Sequence, residues 1–135
     1  MENNTGSNWT CPVSVITGRN VVKTEADGTA SYERVVEMTD NILSKRKGFS
    51  GKWAYMPHIN KLNPVLDEDT RKAFTKLHER CLAAGCVAFA FVTGGVVSAK
   101  VQSKRHHDAS NTEQLQNEYF RTEEEALKWL ESIGI

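Results

Sequence analysis

The chain has 135 residues, with 39% hydrophobic and 25% charged content, the make-up of one ordinary globular domain rather than a disordered or membrane-embedded chain. Lys+Arg and Asp+Glu number 17 each, so the net charge is zero. That balance supplies no global cationic field and argues against nucleic acid or an anionic membrane as the main partner, while leaving room for local patches.

Residues 1–10, MENNTGSNWT, are polar and predict a frayed terminus, with residues 11–135 forming a single domain. The start lacks an apolar stretch of the signal-peptide kind, so the expectation is a cytoplasmic, reduced setting. The Asn-x-Thr matches at Asn3 and Asn8 then carry no glycosylation meaning. Val13–Ile16 and Val21–Thr24 are β-branched clusters separated by the turn formers Thr17-Gly18-Arg19-Asn20, which predicts an antiparallel hairpin. Asp27-Gly28 then breaks the chain. Tyr32, Val35, Val36, Ile42 and Leu43 lie on one helical stripe flanked by Met38, with Thr39 as a polar gap. Thr29 or Ser31 is placed to cap this helix, and Lys45, Arg46, Lys47 and Gly48 mark its end.

Lys52–Met56 reads as a buried strand that Pro57 ends, followed by a polar loop from His58 to Pro64. A helix is expected after Leu66, with Asp67, Glu68 and Asp69 supplying its cap and first-turn charge. Its buried stripe is Ala73, Phe74, Leu77, Cys81 and Ala84, Gly85 stops it, and His78 is assigned to its exposed side. The run Cys86-Val87-Ala88-Phe89-Ala90-Phe91-Val92 follows, uninterrupted by any polar residue. It is too short to span a bilayer, and its lack of alternation predicts a strand covered on both faces. Everything else in the chain reads as what covers and extends that strand.

Gly94-Gly95 leads into residues 96–107, where Val97 and Val101 suit a helix and Val97, Ala99 and Val101 suit a strand. A helix is expected, because two parallel strands need a crossover. Residues 108–116 read as a loop and Glu118–Arg121 as a short last strand. Thr122-Glu123-Glu124-Glu125 is a capping box that opens a helix with Ala126, Leu127, Leu130 and Ile133 on its apolar face and Trp129 beside it. Repeated strand-then-helix units imply an α/β fold with a mostly parallel five-stranded sheet, an N-terminal antiparallel strand and flanking helices.

This order, and the closing YFRTEEEALKWLES segment above all, resembles the SpoIIAA-like (STAS-type) domains, in particular their small stand-alone bacterial members. Phe120, Thr122, Glu125-Ala126-Leu127 and Trp129-Leu130 are the matching residues, and the likeness extends from Val13 to Ile133. The resemblance implies a SpoIIAA-like four-turn β-α superhelix and a non-catalytic regulatory or protein–protein interaction module. In the anti-sigma-factor antagonists of this fold the loop after the central strand carries a phosphoacceptor Ser. Here no Ser or Thr lies between Met56 and Asp69, so phosphorylation switching does not carry over.

Ligands of open α/β sheets gather at the carboxyl ends of parallel strands. That rule selects His58, Asn60 and Lys61 with Thr93, Gly94 and Gly95 as the residues for a partner or ligand, a small anion held by glycine N–H groups being one form. A Gly-Lys-Ser/Thr ending is absent, so no phosphate loop is present. Tyr55, Met56, Phe74, Phe89 and Phe91 are the residues for an apolar, lipid-like ligand if they line a cavity rather than fill a core. His106-His107-Asp108 stands beside Lys104 and Arg105, and adjacent helical residues diverge, so no metal site is assigned. Cys11, Cys81 and Cys86 have neither metal nor redox spacing, and Cys81 and Cys86 read as small buried hydrophobes. No nucleophile elbow, paired carboxylates or dinucleotide fingerprint is visible. The expectation is a protein without cofactor or catalytic centre, contacting an unidentified protein partner or a second copy of itself.

Overall fold

The computed structural model describes residues 8–97, 100, 104 and 114–135. Its strands are β1 (Trp9–Thr10), β2 (Val13–Val15), β3 (Val21–Gly28), β4 (Trp53–Leu62), β5 (Cys86–Val92) and β6 (Gln116–Phe120). Its helices are α1 (Tyr32–Lys45), continued by a 3-10 turn at Arg46–Gly48, α2 (Glu68–Ala83) and α3 (Glu123–Ser132). Val97, Lys100 and Lys104 are also helical, in keeping with the expected crossover helix. The rest of the 98–107 stretch and the His106-His107-Asp108 cluster lie outside the described residues.

β3, β4, β5 and β6 run parallel in that order, and β1 and β2 pair antiparallel with the free edge of β3. The sheet is therefore six-stranded rather than five-stranded, because Trp9 and Thr10 pair with Gly28 and Asp27 instead of fraying. β3 correspondingly continues past Thr24 to Gly28.

The uninterrupted run is β5, and both of its faces are covered. Phe89 and Phe91 join the core under α1 and α2, while Ala88, Ala90 and Val92 join the core under α3. Large rings on one side and alanines on the other let α3 approach the sheet closely. Burying one such ring contributes roughly 2–3 kcal/mol.

β4 differs most from the pattern. Pro57 does not end it: the strand continues to Leu62, so His58, Asn60 and Lys61 belong to the strand and not to a loop. Pro57 pairs in register with Thr24 of β3. On the β5 side the register passes from Tyr55–Phe89 to His58–Val92, so the ladder steps over the proline that has no N–H to donate. The strand ends at Leu62, opposite Gly28 of β3.

The helices keep their expected bounds, with α1 turned slightly about its axis. Val35, Met38, Thr39 and Ile42 are buried, whereas Tyr32 is exposed. Thr39 is tolerated inside because its hydroxyl donates to the Val35 carbonyl at 2.7 Å. Ser31 caps α1, and Asp67 caps α2 by accepting from the Thr70 N–H and hydroxyl at 2.9 and 2.7 Å. No described helix is long and apolar enough to cross a membrane.

Candidate functional site

The start of α3 reaches Lys23 of β3 and His58 of β4, part-way along both strands, on one face of the sheet. The capping box fixes that start: the Glu125 N–H donates to the Thr122 hydroxyl, and the Thr122 N–H donates to the Glu125 carboxylate. Glu123 thereby falls in the first turn, where a negative charge suits the helix dipole. Its Oε1 receives Lys23 Nζ of β3 and His58 Nε2 of β4, each at 2.7 Å. Burial pushes the Glu123 carboxyl up, but the hydrogen bonds and charges of Lys23 and His58 together outweigh that and hold it below the ordinary glutamate range. This carboxylate ties α3 to two neighbouring strands.

Beyond that tie lies an open polar cleft of about 340 Å³, lined by Thr10, Pro12, Glu25, Ala26, Asp27, His58, Asn60 and Lys61. It is built from rows that cross three strands. Thr10, Asp27 and Lys61 are register partners in one row, and Glu25 pairs with His58 in the next. Between these rows the register of β3 and β4 shifts by one residue, so that Ile59 and Asn60 of β4 stand against Ala26 alone. Such a bulge re-aims side chains at a sheet's working end.

Three residues assigned to the site from sequence, His58, Asn60 and Lys61, line this cleft. Thr93, Gly94 and Gly95 form the adjoining turn, and a Cβ on Gly94 would stand 3.0 Å from the Asn60 Cβ. The turn is internally bonded. The Gly94 N–H donates to the Arg121 carbonyl at 3.2 Å, and the Gly95 N–H to the Thr93 hydroxyl at 3.2 Å. Thr93 is buried, and its hydroxyl donates to the Phe120 carbonyl. The glycine N–H groups are therefore committed to the turn and not turned out as an anion cradle.

The opposite face of the same strands holds an apolar pocket of about 40 Å³ whose lining includes Tyr55, Phe74, Phe89 and Phe91. Met56 is not among its lining, since it alternates to the α3 side. His78, assigned by sequence to the exposed side of α2, is buried there with its ring stacked on Phe89 at 4.6 Å. Its Nδ1 lies 3.0 Å from the Phe74 carbonyl, which gives the imidazole a polar contact inside an aromatic core. Thr24 and Tyr55 share a buried hydrogen bond of 2.6 Å, and burial pushes the Tyr55 phenol up. The thiols follow the same rule, with burial raising Cys11 to about 11 and Cys86 to about 12.

A solved structure of an uncharacterized DUF3478-family protein with a SpoIIAA-like fold, from Shewanella loihica PV-4, is similar to this chain over 91% of its length and 94% of the other's. The TM-score is 0.66 at 15% sequence identity. The chain has a SpoIIAA-like fold. No family model matches the sequence, and no curated protein matches it.

Within this SpoIIAA-like fold residues 57–62 are strand, with His58, Asn60 and Lys61 on the cleft wall, and no Ser or Thr lies between Met56 and Asp69. The sequence reasoning missed Thr10, Lys23, Glu25, Asp27 and Glu123. A signal for three of them was present: Lys23, Glu25 and Asp27 alternate with Val22, Thr24 and Ala26 at the period of a strand with one wet face. Among the described residues, no three His, Cys, Asp or Glu side chains converge as a metal site.

Proposed function

We propose that the chain is a non-catalytic regulatory or protein–protein interaction module of the SpoIIAA-like type, without a phosphoacceptor. Its contact surface is the rim at the carboxyl ends of β4 and β5, made of His58, Asn60, Lys61, Thr93, Gly94 and Gly95. The observation that carries this reading is the close approach of Gly94 to Asn60, which merges the two strand ends into one continuous polar surface with Asn60, Lys61, Gly94 and Gly95 exposed. His58 and Lys23 are already bonded to Glu123, which suits a rigid scaffold better than a free acid or base. The apolar-ligand reading gains little support: about 40 Å³ is far less than the roughly 150 Å³ that accommodates benzene in a protein core.

Quantitative affinity capture with the wild type and with an Asn60→Arg/Lys61→Glu variant, each also run on a sizing column, tests the proposal. The expected result is a protein, or a second copy of the chain, held by the wild type and lost by a factor of ten or more in the variant. Identical captured sets and identical elution would remove the rim from the account.

A further inference from the structure

The polar cleft carries an inference that goes beyond partner docking. Besides Glu123, five charged or titratable side chains gather on this face, and two of them, Lys23 and His58, are bonded to it. Lys23 also reaches Glu25, at the margin of an ion pair at 4.0 Å. The groups left for the cleft are Glu25 and Asp27 on β3 and Lys61 on β4, all exposed. Asp27 and Lys61 are Cα partners across a parallel pair, yet their charges form no ion pair with each other. Thr10, on the other side of Asp27, adds a hydroxyl, and Asn60 adds an amide. The volume of about 340 Å³ falls in the range of small-molecule sites.

A bare anion meets two carboxylates here, and a bare cation meets the Lys61 ammonium. A molecule carrying both charges a few bonds apart satisfies both. We propose that the cleft binds a small zwitterion, an α-amino acid, with its ammonium between Glu25 and Asp27 and its carboxylate on Lys61 and the Asn60 amide. The bulge at Ile59-Asn60 is what brings Lys61 opposite Asp27 rather than one position out of step. The site operates in the isolated chain, so its test is independent of whether the rim docks a protein.

The experiment is amide chemical-shift titration of the purified protein with glycine, L-alanine, L-aspartate and L-lysine, using propionate and ethylammonium as single-charge controls. At least one amino acid should saturate with a Kd of about 1 mM or tighter, moving resonances of residues 25–27 and 58–61, while neither control does. Asp27→Asn and Lys61→Met should each weaken that binding about tenfold or more, the scale of one charged hydrogen bond. Lys47→Met, at an exposed position outside the cleft, should leave it unchanged. Absence of saturation with all four amino acids, equal binding of the controls, or wild-type affinity in both cleft variants would overturn the proposal.

Discussion

At the scale of single residues, several buried polar groups are answered by a specific partner. The Thr24–Tyr55 pair is the clearest case, two hydroxyls 2.6 Å apart with almost no exposure. Removing one partner strands the other without water, whereas removing both replaces a bond with apolar contact. Tyr55→Phe should therefore cost about 1–3 kcal/mol, and adding Thr24→Val should recover part of that loss. Denaturant unfolding of the two single variants and the double variant measures the coupling, and strictly additive losses would contradict it. Glu123 gives the matching case for charge. Its folded carboxyl titrates below the unfolded one, so its contribution is complete above the ordinary glutamate range and is lost as pH falls through the depressed folded value. The stability gap between wild type and Glu123→Gln should stay open at neutral pH and close on acidification through the carboxylate range. A gap that widens across that range would reverse the assignment.

At the scale of elements, the strand ends depend on one turn and one cap. Gly94 has φ of 61°, and any Cβ there would press on Asn60 at 3.0 Å. Gly94→Ala should cost about 1–3 kcal/mol from the left-handed backbone and the contact together, measured by thermal or denaturant unfolding. An unchanged midpoint would show that the turn and Asn60 are not in contact. The same elements show what a sequence can and cannot disclose. Thr122 with Glu125 announces α3 because both halves of the capping box lie within four residues. Pro57 misleads about β4 because a proline is a stop signal in isolation. Its tolerance depends on a ladder to β5 that no local window contains. His78 misleads for a related reason: its chain neighbours Glu79 and Arg80 are exposed, while the Phe89 ring that receives it belongs to another element.

At the scale of the whole molecule, the fold was legible and the cleft was only half legible. The run from Cys86 to Val92 declared a doubly covered strand, and the α/β order around it led to the SpoIIAA-like fold. The cleft's β4 wall, with His58, Asn60 and Lys61, was foreshadowed by the rule that ligand sites collect at parallel strand ends. Its β1 and β3 walls were not, since Thr10, Asp27 and Lys61 come together only through strand registers set by the turns and the bulge. The rim is thus a product of topology as much as of local sequence, and a partner that uses it must approach from the strands' carboxyl ends. Lys47, exposed in the turn after α1 whose Arg46 donates to the Ala84 carbonyl just before β5 begins, lies by the amino ends of the strands and supplies a control. The direct measurement places a photo-crosslinking residue at position 61, or at position 47, in the full chain expressed in cells, followed by irradiation and mass analysis. The account predicts a discrete covalent adduct from position 61 and none from position 47. No adduct from 61, or the same adduct from both positions, would contradict it.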